Sequence, residues 1–85
     1  MKEINEQVSE IKTRSDLIAF IEALRMDLQA QPRKWENASL DSFLGALASW
    51  AEDMDGYYEN KGLEIPKNPT WRTFGEMLAA ARIYE

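Results

Sequence analysis

The sequence predicts an all-α fold, a small bundle of three main helices with a short fourth helix at the N-terminus. Apolar residues recur at helical spacing in three separate segments, and strand-like alternation is nearly absent. The chain has 85 residues, which is enough for one hydrophobic core and too few for two. We therefore expect residues 1–85 to form a single domain in which antiparallel neighbouring helices are joined by short loops.

The first long helix is predicted between Thr13 and Pro32. Its apolar residues follow the spacing of a helix with one buried face, namely Leu17, Phe20, Ile21, Leu24 and Leu28. Thr13 and Asp16 have the spacing of a capping box, which places the helix start near Thr13 or Ser15. Pro32 limits the other end, because proline disfavours helical geometry in the residue before it.

The second long helix has the most regular apolar spacing. Its predicted buried stripe consists of Leu40, Phe43, Leu44, Leu47, Ala51 and Met54, with Trp50 on one flank. Asn37 or Ser39 is the expected N-cap. Gly56 can adopt the left-handed conformation that ends many helices, so this helix is expected to end near Met54 or Asp55.

An acidic loop of roughly 12–13 residues, about residues 56–68, is expected before the last helix. Asn68 and Pro69 then predict an N-cap followed by proline at the first helical position. The last helix follows through WRTFGEMLAAARIY, with Trp71, Phe74, Leu78 and Ala81 on one side. Gly75 lies on the same side, where it would let a neighbouring helix approach closely.

The first twelve residues place Ile4, Val8 and Ile11 at helical spacing. This pattern suits a short helix, and three apolar positions also suit a frayed arm. Elsewhere each tryptophan (Trp35, Trp50 and Trp71) is expected to pack in the core, because a chain of this size has few large side chains to spare.

Composition excludes several functional classes. The absence of cysteine and histidine removes thiolate chemistry, the commonest general base and the commonest transition-metal ligands. No glycine-rich phosphate loop occurs either, so we expect neither an enzyme nor a cofactor. The net charge of -5 disfavours nucleic acid. No signal peptide or membrane span is predicted, so a soluble, cytoplasmic protein is expected.

The segment DMDGYYENKGLE, from Asp53 to Glu64, contains some elements of a calcium-binding EF-hand loop. Starting the loop at Asp53 places Tyr57 at a ligand position and brings the glycine too early. Starting two residues earlier places Ala51 at the first ligand position. An EF-hand is therefore not predicted, and a weak divalent-cation site formed by Asp53, Asp55 and Glu59 stays as an alternative.

The same segment concentrates the negative charge of the chain. Between Glu52 and Glu64 lie five acidic residues and one basic residue, a net charge of -4. Tyrosines among carboxylates suit a basic protein partner, because the rings bury area while the charges steer the encounter. The predicted partner-binding residues are Glu52, Asp53, Asp55, Tyr57, Tyr58 and Glu59. In the competing interpretation, one tyrosine covers the core and the other lies on the surface.

Four sequence words together resemble a family of small acidic bacterial proteins of unknown function. They are WEN (35–37), EDMDGYYEN (52–60), PTWRTF (69–74) and AARIYE (80–85). The resemblance covers roughly residues 13–85 and implies a bacterial cytoplasmic protein, without an activity or site residues. In size and acidity alone the chain is also similar to immunity proteins that neutralise basic toxins.

These observations predict a non-catalytic protein–protein interaction module, immunity-like in one form, that contacts a basic partner through its acidic loop. Two alternatives stay open, the cation binder described above and a self-associating protein whose exposed aromatic residues meet across a two-fold axis. The sequence does not choose between a monomer and a homodimer.

Overall fold

The computed structural model of the chain describes residues 3–84. These residues form four α-helices and no β-strand, which confirms the all-α prediction. The helices are α1 (Ile4–Val8), α2 (Arg14–Ala30), α3 (Leu40–Asn60) and α4 (Trp71–Ala81), with a 3₁₀ turn at Pro32–Lys34. The short N-terminal helix is therefore present. None of the described helices is long and apolar enough to cross a membrane.

Helix α2 begins where the sequence predicts. The Thr13 side chain accepts a hydrogen bond from the backbone N–H of Asp16, and the Asp16 carboxylate accepts one from the N–H of Thr13. That carboxylate also accepts the Lys12 N–H at 2.9 Å, which is the main cause of its lowered pKa. Leu17, Phe20 and Leu24 are buried as predicted, but Ile21 is 42% exposed, so its assignment to the core is wrong.

Helix α3 continues past its predicted end at Met54 or Asp55 and ends at Asn60. Gly56 lies inside the helix, and Gly62, with a φ of 68°, is the residue in the left-handed conformation. A glycine inside a helix costs about 1 kcal/mol relative to alanine. Burial of Tyr58, which is only 4% exposed, offsets that cost and extends the helix. Only the first part of the predicted acidic loop, residues 56–60, is therefore helical, and residues 61–70 form the connection.

Helix α4 begins at Trp71 rather than at Pro69. Its N-cap is Thr70, whose hydroxyl accepts the N–H of Thr73 while the Thr73 hydroxyl accepts the N–H of Thr70. This reciprocal pair satisfies two backbone donors, which explains why Asn68 is not the cap.

Helix α4 is the central element of the fold. It packs against α3, α2 and α1, whereas no Cα atom of α2 lies within 8 Å of a Cα atom of α3. The expectation that consecutive helices pack as neighbours is thus wrong for α2 and α3. Small residues explain the arrangement, because Gly75, Ala79 and Ala81 are all buried and let backbones approach closely. A Cβ atom at Gly75 would overlap Ile11 Cδ1, as the sequence predicts for a close approach.

The main core lies between α2, α4 and the segment before α3. Its buried members are Ile11, Leu17, Phe20, Leu24, Trp35 and Ala79. Trp35 stacks on Phe43 with ring centroids 6.0 Å apart and donates its indole N–H to Asp27 at 2.7 Å. Trp50 is also buried, but Trp71 is 42% exposed, so the predicted core role of Trp71 is wrong.

Asn37 closes the C-terminal end of α4. Its side-chain Nδ2 donates to the carbonyl oxygens of Ala81 at 3.0 Å and Tyr84 at 2.6 Å. Its backbone N–H donates to the Arg82 carbonyl at 3.1 Å. Ser39 is the N-cap of α3, with its hydroxyl accepting the N–H of Ser42. Of the two N-cap candidates for α3, Ser39 is correct, and Asn37 serves α4 instead.

Candidate functional site

Three of the predicted partner-binding acids lie together on the solvent side of α3. Glu52, Asp55 and Glu59 follow the i, i+3, i+7 spacing of one helix face, and all three are exposed. None of them forms an ion pair in the described part of the chain. Their charges are therefore presented to solvent without a counter-charge among residues 3–84.

Asp53 belongs to a different contact. Its carboxylate accepts a hydrogen bond from the Tyr84 hydroxyl at 2.5 Å, which ties the C-terminal segment to α3. This hydrogen bond to a carboxylate raises the pKa of Tyr84, because it stabilises the protonated phenol. Asp53 is exposed but points along another side of the helix than Asp55, since two residues differ by about 200°.

Tyr58 is part of the core rather than of a contact surface. It is 4% exposed, and its hydroxyl donates to Glu76 Oε1 on α4 at 3.2 Å. Burial, and secondly the Glu76 carboxylate, raise the pKa of Tyr58 to about 12. A buried phenol with its donor already used cannot serve an incoming partner, so the predicted role of Tyr58 in partner binding is wrong.

Tyr57 is half-buried beside the same core. Its ring lies 5.4 Å from that of Trp50 and meets Tyr58 edge-on at 5.1 Å, measured between centroids. The ammonium of Lys61 lies 5.0 Å from the Tyr57 centroid, a cation–π contact. The arrangement agrees most closely with the competing interpretation, in which one tyrosine covers the core.

The alternative cation site is not assembled. Because residues 53–60 are helical, Asp53 and Asp55 lie on different sides of α3, and only Asp55 and Glu59 are neighbours. No group of three or more acidic side chains that could hold a metal occurs among residues 3–84. The proposed site of Asp53, Asp55 and Glu59 is therefore wrong, since a calcium ion needs six to eight oxygen ligands at one point.

Two leucines that sequence reasoning assigned to the core lie on the surface of α3. Leu40 is 74% exposed and Leu44 is 53% exposed. The buried face is instead centred on Ala46 and Trp50. With 21 residues, α3 is nearly twice as long as α4, which has 11, so α4 cannot cover the whole apolar stripe. The sequence predicts α3 and α4 to be of similar length, so no local signal reveals this exposure.

The leucines and the unpaired acids share one surface. At about 100° per residue, Leu40, Leu44, Asp55, Glu59 and Glu52 fall within about 120° of arc around α3. We call these five residues the outer face of α3. Its first turns present apolar side chains and its last turns present carboxylates, a combination that suits a partner with an apolar and basic surface.

Comparison with known proteins identifies the family of the chain. Residues 13–85 match a family of unknown function, DUF7660. The chain belongs to this family. The matched range agrees with the range predicted from the four sequence words and leaves α1 outside. Comparison with curated proteins and with solved structures gives no significant match.

Three of the four words that indicated the DUF7660 family meet in the fold. Asn37 of WEN donates to Ala81 and Tyr84 of AARIYE, and Tyr84 in turn donates to Asp53 of EDMDGYYEN. These contacts hold the C-terminal segment against Asn37, which precedes α3, and against Asp53, which lies within α3. The residues in these words thus have a structural role, because they attach the C-terminal segment to the rest of the fold. The family description assigns them no activity.

Proposed function

We propose that this protein is a non-catalytic protein–protein interaction module that binds a basic partner through the outer face of α3. The observation that carries the proposal is the coincidence, on one helix face, of two exposed leucines with three carboxylates that form no ion pair within the described part of the chain. Burial of exposed apolar side chains contributes favourable free energy to binding, while rim charges set the encounter rate and the choice of partner.

The leucines take the place that the sequence analysis gave to the tyrosines. Leu40 and Leu44 lie one helical turn apart, so a partner can cover both with a single apolar groove. Glu52, Asp55 and Glu59 would then pair with lysine or arginine side chains at the edge of that groove. A basic toxin, as in immunity proteins, is one partner of this kind.

A comparison of matched charge variants tests the proposal. Glu52→Gln, Asp55→Asn and Glu59→Gln together remove three charges from the outer face of α3. Changing Glu3, Glu6 and Glu36 to Gln removes the same number from exposed positions elsewhere. Each tagged protein is used to capture partners from the native host, which are identified by mass spectrometry.

The wild type and the control triple variant are expected to recover the same basic protein, and the outer-face variant to lose it. Leu40→Ser with Leu44→Ser is expected to lose it as well, with helicity unchanged by circular dichroism. Recovery should fall as salt rises, because exposed charges are screened over about 10 Å at 0.1 M. Identical recovery by all four proteins would overturn the proposal.

Self-association is the second candidate, favoured by the exposure of Leu40 and Leu44 together with that of the aromatic residues Trp71 and Phe74. A two-fold axis would bring the same apolar patch of two copies together and bury it. Analytical ultracentrifugation at rising protein concentration distinguishes the two candidates. A monomer at the highest concentration would exclude self-association, whereas a dimer abolished by Leu40→Ser would support it over a separate partner.

A further inference from the structure

A solvent-open groove lies between the N-terminal end of α4 and the segment that joins α1 to α2. Its volume is about 690 Å³, and it is lined by Ile11, Pro69, Trp71 and Phe74 together with the cationic Lys12 and Arg72. We call it the α4 groove. It is formed by different residues from the outer face of α3.

The aromatic residues of the α4 groove are exposed without an evident structural need. Trp71 and Phe74 are each 42% exposed, and their ring centroids lie 6.4 Å apart at an interplanar angle of 44°. The other two tryptophans are buried, so the chain does place such side chains inside where packing requires it. The pair therefore presents one continuous aromatic surface on which an apolar side chain of a partner can pack.

The lining of the α4 groove contains two cationic residues, Lys12 and Arg72, and no acidic residue, although the net charge of the chain is -5. Of the neighbouring acids, Asp16 accepts the backbone N–H of Lys12, and Glu76 lies one turn after Arg72 on α4. The Arg72 side chain is 51% exposed, and its Nε lies 4.0 Å from Glu76 Oε1. That oxygen also accepts the Tyr58 hydroxyl, so Arg72 is only loosely paired and can turn to an incoming anion.

We propose that the α4 groove binds a short acidic peptide segment of a partner protein. An aromatic or aliphatic side chain of the segment packs on the exposed surface of Trp71 and Phe74, and its carboxylates pair with Lys12 and Arg72. Arginine suits this task, because its planar guanidinium binds a carboxylate through two parallel hydrogen bonds. A nucleic acid is disfavoured, since the acidic remainder of the molecule would repel a chain of phosphates.

The α4 groove gives the protein a second binding surface, which prefers a partner of the opposite charge to the one that fits the outer face of α3. The outer face of α3 is acidic and fits a basic partner, while the α4 groove is basic and aromatic and fits an acidic one. The two surfaces use no residue in common, so each can be removed by substitution without touching the other.

Selection from a random peptide library displayed on phage tests this proposal. Peptides enriched on the wild-type protein are expected to carry net negative charge and at least one aromatic or aliphatic residue. Their affinity for Trp71→Ala and for Arg72→Glu is expected to fall by at least about tenfold. Leu63→Ala and Arg25→Glu alter one exposed apolar residue and one exposed cationic residue elsewhere and should leave the affinity unchanged.

Three results would overturn the proposal: no enrichment, enrichment without an acidic bias, or equal binding to the wild type and both groove variants. Tighter binding of a single-stranded oligonucleotide than of the enriched peptides would overturn it as well. Trp71→Ala and Arg72→Glu alter exposed side chains, and circular dichroism verifies their folding. The variant with three charges removed from the outer face of α3 should bind the peptides normally, so failure of either proposal is recognised separately.

Discussion

Replacing Asn37 by alanine tests the contact that holds the end of α4 in place. The substitution removes the donor that serves the carbonyl oxygens of Ala81 at 3.0 Å and Tyr84 at 2.6 Å. Ala81 is fully buried, so water cannot replace the lost hydrogen bond at its carbonyl. A buried group left unsatisfied costs about 1–3 kcal/mol, and the second, less buried carbonyl adds about 0.5–1 kcal/mol. We expect Asn37→Ala to lower the free energy of unfolding by about 1.5–4 kcal/mol.

Asn37→Asp should be more harmful than Asn37→Ala, because it places a carboxylate against two carbonyl oxygens. Urea denaturation followed by circular dichroism measures both effects. Asn68→Ala is the matched control and should change stability by less than about 0.5 kcal/mol, since Thr70 is the cap of α4. The reasoning is refuted if Asn37→Ala is as stable as the wild type, or if Asn68→Ala is the more damaging change.

Three further predictions follow from packing, hydrogen bonding and charge. Gly75→Val should lower the free energy of unfolding by about 1–3 kcal/mol in urea denaturation, because a Cβ atom there meets Ile11 and Val8. Gly45→Val is the control and should change that free energy by less than about 0.5 kcal/mol, because a Cβ atom at Gly45 meets nothing within 4 Å. The pKa of Tyr58 is raised to about 12 from 10.0, so its contribution to stability is complete below pH 10 and is lost as the pH rises toward 12. Tyr58→Phe should remove that part of the pH dependence, and an unchanged slope between pH 10 and pH 12 would contradict the assignment. Calcium at millimolar concentration should not raise the melting temperature, since Asp53 lies on another side of α3 than Asp55 and Glu59 and no three acidic side chains converge among residues 3–84; a saturable rise would contradict this placement.

Features decided by neighbouring residues could be predicted from the sequence. The capping box of α2 is an example, because Thr13 and Asp16 lie three residues apart and satisfy each other's backbone donors without help from the rest of the chain. The helical class itself was equally accessible, since apolar spacing reports the period of the helix directly. The close approach at Gly75 followed from its place on an apolar face.

Features decided by distant contacts could not be predicted in the same way. Gly56 can end a helix or lie inside one, and the choice depends on the burial of Tyr58 against Glu76, which is 18 residues away. Asn37 carries the side chain of an N-cap, but its partners lie 44 and 47 residues further along the chain. Local sequence rules predict which hydrogen bonds or turns such residues can form, but the tertiary fold decides which partner they meet.

The candidate site was predicted in part for the same reason. The exposure of Glu52, Asp55 and Glu59 agrees with the sequence analysis, because charged residues seldom lie in a core without a partner. Tyr58 is buried whereas Leu40 and Leu44 are exposed, the reverse of the prediction. The reason is that only the tertiary arrangement decides which apolar side chains α4 covers. An apolar stripe that extends beyond the helix packed against it leaves some of its residues in solvent, and in α3 these residues are Leu40 and Leu44.

The central claim is that α3 continues through Asn60, so that its acids and its exposed leucines form one rigid surface. Carbon-13 chemical shifts of the backbone, measured by solution NMR for residues 53–60, test it directly. The account predicts helical Cα shifts at every one of these positions, Gly56 included, with amide protection at Tyr58 and Glu59. Random-coil shifts beginning at Asp55 or Gly56 would contradict it, because the carboxylates would then occupy a loop with no fixed relation to Leu40 and Leu44.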